Sequence, residues 1–279
     1  MRHRFSQVDV FSAEPFRGNP VAVVHGADDI DEADMASFAR WTNLSETTFL
    51  LSPTTDEADY RLRIFTPGGE LPFAGHPTLG SARAWLEAGG TPRSSTGLVQ
   101  ECAAGLIQLR STDGELSFAA PPLVRSGSVD PADIRQIQQA LDLPDEAVLD
   151  AAWVDNGPGW IGLLLDSPDT VLALRPDLPA LGDLKVGVLA RYPDGGPADV
   201  EVRAFVPSLG VGEDPVTGSL NAGLALWLIG NGTLPPSYTA AQGAALGRRG
   251  RLSITSADGQ VWIGGDAVCT ITGEVTFAG

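Results

Sequence analysis

Lysine is almost absent from this chain: Lys185 is the only one in 279 residues. A phosphate-binding P-loop needs Gly-Lys followed by Ser or Thr, so that chemistry is excluded. Lys185 is also the only residue able to form a Schiff base, and it lies in Gly-Asp-Leu-Lys-Val-Gly-Val, which reads as ordinary strand edge. Pyridoxal-phosphate catalysis is therefore not expected. Cysteine is nearly as scarce. Cys102 and Cys269 cannot build a disulfide framework, and neither has the helix-opening glycine context that activates a thiol. Cys269, in Ala-Val-Cys-Thr-Ile-Thr, is expected to be a small buried strand residue. Histidine occurs only at His3, His25 and His76, with no His-x-x-x-His or Cys-x-x-Cys spacing, so no dedicated metal site is expected. There is no Gly-x-Ser-x-Gly elbow, and Gly210-Val-Gly212 lacks the rest of a dinucleotide fingerprint, so no organic cofactor is expected either.

Positive charge is short as well. With 18 basic against 35 acidic residues the formal charge is −17, which argues against nucleic acid or an anionic membrane as partner. No apolar run is long enough to span a bilayer, and Met-Arg-His-Arg-Phe reads directly as a strand rather than a signal peptide. A cytoplasmic protein is the expectation. At 43% hydrophobic and 19% charged residues the chain can bury a sizeable core.

What the chain does have is one pattern twice. Arg63, Phe65 and Pro67 precede Gly-His-Pro-Thr-Leu-Gly-Ser, from Gly75 to Ser81. Arg203, Phe205 and Pro207 precede Glu-Asp-Pro-Val-Thr-Gly-Ser, from Glu213 to Ser219. With a two-residue gap the match extends through Pro77/Pro215, Gly80/Gly218, Ser81/Ser219, Ala84/Ala222 and Leu86/Leu224. Each copy reads strand, glycine-rich loop, helix, and the duplication predicts two related halves. Ala120-Pro121-Pro122 is the best boundary. We expect an N-terminal domain over 1–119, completed by the last strand at 268–279, and a C-terminal domain over 122–267.

Periodicity predicts strands at 5–11, 21–24, 47–51, 60–65, 153–165, 172–174, 184–190, 200–206 and 268–277, and hairpins turning at Asp113-Gly114 and Asp258-Gly259. It predicts helices at 32–41, 78–88, 134–141 and 217–229. The last is apolar on nearly every side, the pattern of a helix buried all round. The fold class expected is α+β, with mostly antiparallel strands wrapped around one central apolar helix in each half.

Three features point to chemistry. A helix N-terminus offers unpaired N–H groups and partial positive charge, and Gly80-Ser81 and Gly218-Ser219 would let a carboxylate approach closely. Alone, either loop reads as simple capping; occurring twice, they read as a site between two domains. His76 and Asp214 both precede the matched proline, so each half offers one proton-active side chain. Glu46, in Asn43-Leu-Ser-Glu-Thr-Thr-Phe49, starts an apolar strand, where partial desolvation would raise its proton affinity toward general acid–base work.

Four segments together resemble the phenazine-biosynthesis isomerase (PhzF-like) family: Val8-Asp-Val-Phe followed by Phe16-Arg-Gly-Asn-Pro-Val-Ala-Val-Val24, Asn43-Leu-Ser-Glu-Thr47, Phe73-Ala-Gly-His-Pro-Thr-Leu-Gly80 and Gly212-Glu-Asp-Pro-Val-Thr-Gly-Ser219. Gln242-Gly243 followed by Gly247-Arg248 is similar to a fifth. The resemblance implies a diaminopimelate-epimerase-like fold and an isomerase without metal or organic cofactor. It makes Glu46 the principal acid–base, moving a proton between carbons of a small carboxylated substrate in a cleft between the domains. His76 and Asp214 would assist; Gly75, Gly218 and Ser219 would bind carboxylate; Ser45 and Gln242 would add polar contacts. It also implies a homodimer. Relatives of this fold that racemise amino acids carry a cysteine in each glycine loop, where this chain has His76 and Asp214. The alternatives are an amino-acid racemase or epimerase without catalytic cysteines, and a non-catalytic carboxylate-binding protein.

Overall fold

A computed structural model describes residues 1–94, 97–207 and 212–278. Gly210, of the glycine pair noted above, lies outside the described residues. The chain forms two compact units, Met1–Ala119 with Gly264–Gly279, and Ala120–Ile263. Both are α+β.

The first unit begins with β1 (Arg2–Val10) and β2 (Asn19–Val24), an antiparallel pair. Helix α1 (Glu32–Thr42) then carries the chain over to β3 (Glu46–Leu51), which lies parallel to β2. A parallel neighbour cannot be reached by a tight turn, so a helical crossover is required here. The helix is well framed: Asp31 accepts the Asp34 N–H at its start, and Asn43 adopts the left-handed conformation that stops it. Next come β4 (Tyr60–Thr66) and the short β5 (Gly69–Leu71), both antiparallel to the strand before. Helix α2 (Gly75–Glu87) crosses to β6 (Leu98–Cys102), parallel to β4, and β7 (Gly105–Thr112) and β8 (Glu115–Ala119) follow as a meander. Asp113 and Gly114 both have positive φ, as the two-residue turn between β7 and β8 requires.

The second unit repeats this scheme. It runs β9 (Arg125–Gly127), α3 (Pro131–Leu141), β10 (Val148–Asp155) and β11 (Trp160–Leu165). Two short helices, α4 (Pro168–Ala173) and α5 (Leu178–Leu181), cross to β12 (Lys185–Arg191), parallel to β11. After β13 (Val200–Val206) and the short β14 (Gly212–Asp214), α6 (Gly218–Gly230) crosses to β15 (Ser237–Gln242), parallel to β13. The antiparallel β16 (Gly250–Ala257) and then β17 (Gln260–Gly265) follow. Strand β18 (Ala267–Thr276) pairs antiparallel with β1 in the first unit, the position β9 holds beside β10 in the second.

The two central helices approach their strands through glycine. A Cβ on Gly80 of α2 would stand 2.4 Å from Val21 Cγ1 and 2.9 Å from Val10 Cγ2. On Gly223 of α6 it would meet the Val154 carbonyl oxygen at 2.2 Å. Gly80 is thus a packing contact inside α2, not an opening for a ligand, and Ser81 beside it is fully buried and donates to Thr48 Oγ1. The expected ligand approach through Gly80-Ser81 is corrected accordingly.

Three further expectations change. α2 starts at Gly75 rather than Thr78, because Pro77 falls in the first helical turn, where its missing N–H costs nothing. Residues 172–174 are not a strand; Ser167 caps α4 by accepting the Thr170 N–H, with Pro168 beginning the helix. Cys269 is only half-buried. No helix among the described residues is long and apolar enough to cross a membrane.

Overpacking a close contact costs about 1–3 kcal/mol. Gly80→Ala should therefore lower the urea midpoint despite alanine's better helix propensity. A midpoint equal to or above the parent's would refute the packing role.

Candidate active site

In the first unit the topology brings Glu46 and His76 to one place. Glu46 begins β3 and pairs with Val21 in the parallel ladder, so the start of β2, at Asn19, lies beside it. β4 runs the other way, with Phe65 opposite Thr47, and delivers the chain through β5 into the first turn of α2, where His76 stands. The link from α1 is short and stapled: Thr42 and Thr47 hydroxyls meet at 2.9 Å.

The Glu46 side chain keeps 16% exposure and that of His76 keeps 6%. Glu46 Oε2 approaches His76 Nε2 to 3.3 Å without the alignment of a hydrogen bond. Burial pushes the Glu46 carboxyl up to about 7, against a smaller lowering by the Ser45 hydroxyl. A carboxyl that titrates near neutrality, almost enclosed but with a residual opening to solvent, can both take and give a proton. Ser45 also donates to Asn19 Oδ1 at 3.4 Å, and Asn19 Nδ2 lies 3.4 Å from His76 Nδ1. Glu46, Ser45, Asn19 and His76 therefore form a closed ring of contacts. Gly75 is buried at the first position of α2, where N–H groups have no intrahelical partner. The opening turns of α2 are steadied by Gln100, which donates to Thr78 Oγ1 and accepts from the Tyr60 hydroxyl.

The second unit gathers Asp214, Thr217, Gly218, Ser219 and Gln242 around the start of α6. Asp214 Oδ2 accepts from the Thr217 hydroxyl at 2.6 Å, which keeps a carboxylate beside the positive end of the helix. Ser219 is held from two sides: Trp160 Nε1 donates to its Oγ at 3.0 Å, and Asn156 Nδ2 donates to its carbonyl at 2.8 Å. An indole nitrogen can only donate, so the Ser219 hydroxyl hydrogen stays free to donate onward, as carboxylate binding needs.

Gln242 behaves differently from its expected ligand contact. It is 1% exposed. Its Oε1 accepts from Thr217 N–H and Asn221 Nδ2, and its Nε2 donates to the Asp214 carbonyl and Thr217 Oγ1. Both lone pairs and both hydrogens are used, so Gln242 braces the Asp214–Thr217 loop. Asn19, Thr217, Asn221 and Trp160 were not singled out from the sequence. Asn19 and Thr217 left a trace there, inside Phe-Arg-Gly-Asn-Pro and Glu-Asp-Pro-Val-Thr-Gly-Ser.

The cysteines stand on β6 and β18, outside both glycine loops. Burial pushes both thiols up, and Cys102 Sγ donates to the Gly105 carbonyl. Among the described residues no three His, Cys, Asp or Glu side chains cluster as a metal site would require.

Residues 8–273 match the family model described as phenazine biosynthesis-like protein. The chain is 39% identical to antisense-enhancing sequence 1 of Schizosaccharomyces pombe, over 98% of each chain. It is 36% identical to the trans-2,3-dihydro-3-hydroxyanthranilate isomerase of Pseudomonas aeruginosa, over 90% of this chain and 89% of that one. Among solved structures, a PhzF-family protein of Enterococcus faecalis superposes with a TM-score of 0.82 at 28% identity, covering 99% of this chain and 100% of that one. A hydroxyproline epimerase from Agrobacterium vitis shares the fold, with a TM-score of 0.58 at 17% identity over 98% of this chain and 92% of that one.

Glu46 has a consequence for stability. Its folded pKa, about 7, stands above the ordinary value of 4.5. The native state therefore holds this proton more tightly than the unfolded chain. Its contribution is full below about pH 4.5 and is lost as pH rises through about 7. Glu46→Gln, which cannot ionise, should remove about 3 kcal/mol of that pH dependence. Denaturant titrations across this interval measure it; an unchanged slope would place the carboxyl's proton affinity near normal.

Proposed function

The chain belongs to the phenazine biosynthesis-like family and is an isomerase of the PhzF type, and from that premise we propose that Glu46 moves a proton between carbons of a small carboxylated substrate, cyclic or amino-acid-like, without a cofactor. The observation that carries this reading is the Glu46 carboxyl itself: nearly enclosed, titrating near neutrality and 3.3 Å from His76 Nε2. Glu46 in its carboxylate form takes a proton from one carbon and, as the acid, returns one to another, so the enzyme ends the cycle unchanged. His76 steadies the charge that appears on Glu46. Asp214, beside the N-terminus of α6, is the second proton-active group of this reading. In each unit the helix-opening N–H groups, at Gly75 or at Gly218, with the hydroxyl of Ser45 or of Ser219, are the groups suited to a carboxylate. The placement and raised proton affinity of both thiols favour carboxyl over dithiol chemistry.

The test is solvent-deuterium incorporation by a panel of small cyclic and amino-acid carboxylates. The panel includes trans-2,3-dihydro-3-hydroxyanthranilate, the compound named for the Pseudomonas aeruginosa relative. Deuterium should enter a carbon of substrate or product. Glu46→Gln should slow this by about 10²–10⁴-fold, the usual worth of a general acid–base. The double variant Cys102→Ala, Cys269→Ala should keep the parent rate. Undiminished exchange in Glu46→Gln removes the assignment. A ligand that raises the melting temperature of the parent but never exchanges favours a binding protein instead. The reading includes assembly as a homodimer, and a monomer mass in sedimentation equilibrium would remove that part.

A further inference from the structure

Asn19 has no role in the proton transfer just described, yet it touches both neighbours of the carboxyl. It is 1% exposed. Its Oδ1 accepts from the Ser45 hydroxyl at 3.4 Å, and its Nδ2 lies 3.4 Å from His76 Nδ1. An amide nitrogen donates and never accepts, so Nδ1 must be the lone-pair side of the ring. In a neutral imidazole the proton then sits on Nε2, the atom 3.3 Å from Glu46 Oε2. We propose that Asn19 is a positioning residue that locks His76 in the Nε2–H tautomer, so that the ring always presents a donor to Glu46. The proposal rests on Glu46 as the proton carrier for its purpose, but not for its geometry.

The lock needs Asn19 to stand still, and the preceding loop is built for that. Asp9, 2% exposed, accepts the Arg17 N–H at 2.8 Å and the Gly18 N–H at 3.0 Å through one oxygen, Oδ2. This ties the loop to β1, where Val10 pairs with Asn19 and Asp9 with Pro20. Only glycine fits at 18: a Cβ there would lie 2.1 Å from the Val10 carbonyl oxygen. Phe16 holds a φ of 68°, a left-handed conformation that a bulky side chain disfavours, so the loop shape is imposed by its anchors. Pro20 biases Asn19 itself toward extended backbone. Asp9 is thus the brace for the lock.

The chemical gain lies in the carboxylate half of the cycle. While Glu46 is the carboxylate, before it takes a proton from the first carbon, an Nε2–H lies beside that negative charge and lowers its energy without transferring. When Glu46 has returned the proton to the second carbon and is the carboxylate again, Nε2–H is still in place. The other tautomer would face lone pair to lone pair at that moment and would hold Glu46 protonated.

The direct test is long-range ¹H–¹⁵N correlation on protein labelled at histidine, at about pH 8, above the ordinary histidine range. With His3, His25 and His76 the only histidines, the signals lost in His76→Gln identify that ring. Nε2 should show the protonated, pyrrole-type shift and Nδ1 the pyridine-type shift. Asn19→Asp, equal in size but acceptor-only, should move the proton to Nδ1 or protonate both nitrogens. Asn19→Ala should give a mixture, and Asp9→Asn a partial one. Glu46→Gln should leave the tautomer unchanged, so the spectrum reports on the lock whether or not Glu46 proves to be the proton carrier. In deuterium exchange, Asn19→Asp should lower kcat at least about tenfold with KM held within about threefold. An Nδ1–H ring in the parent overturns the proposal. So does an Nε2–H ring that survives in both Asn19→Ala and Asn19→Asp variants with parent-like melting temperature.

Discussion

A helix walled in on every side must find partners for its own first turn inside the protein, and that constraint organises each unit. α2 packs against β1, β2, β3, β4, β8 and β18, and most of its residues are buried. α6 is buried along most of its length and packs against β10 and β11. Neither helix has a side-chain cap. In both units a glutamine on the strand that follows the helix enters the opening turn instead: Gln100 on β6 reaches Thr78, and Gln242 on β15 reaches Thr217. Buried amides of this kind are costly unless fully paired, and Gln242 is fully paired. The N–H groups they leave over, with the helix dipole behind them, are the natural seats for an anion. Each core helix is thus opened by a buried glutamine from the following strand rather than by a cap of its own.

The sequence made the large features legible because they rest on local patterns. β13 follows the predicted strand at 200–206, and α6 lies one residue from the predicted 217–229. Composition alone marked α6 as buried all round. Features that depend on where the chain goes next were harder to read. Gly80 looked like a ligand opening, but its emptiness serves Val10 and Val21, residues far away in sequence. Gln242 looked like a ligand contact because a polar side chain near a glycine gives no sign of how many partners the fold will supply. Asn19 was hidden for the opposite reason. Its neighbours in space, Ser45 and His76, come together only because β2 and β3 are parallel and α2 opens at the same end of the sheet.

The duplication itself reads differently once the ladders are known. Arg63 grips Glu70 with two nitrogens, and Arg203 grips Glu213 in the same way. Each guanidinium also lies 5.0 Å from the centre of its own phenylalanine ring, Phe65 or Phe205. In the ladders Phe65 faces Glu70 and Phe205 faces Glu213, so the two glutamates are structural equivalents. The gap of two residues is therefore the net of two changes. The second hairpin is longer, and the path from Glu213 to Gly218 is half as long as that from Glu70 to Gly80.

That shortening decides what His76 and Asp214 have in common. Counted back from the helix Gly-Ser they correspond. Counted along the strands they do not, for Asp214 faces Ala204 where the first unit has Leu71 facing Ile64. His76 rides on a helix that begins early, while Asp214 ends a strand. The arginine–glutamate clamp and the glycine before the helix serine recur in both units. The stretch between clamp and helix differs between the units: Leu71 pairs with Ile64 and Asp214 with Ala204, and Val216 and Thr217 are buried where Pro72 is exposed. Its length could change, and with it the side chain placed beside the helix end. Histidine on one side and aspartate on the other thus stand where the two units differ in chain path and where the helix field is strongest.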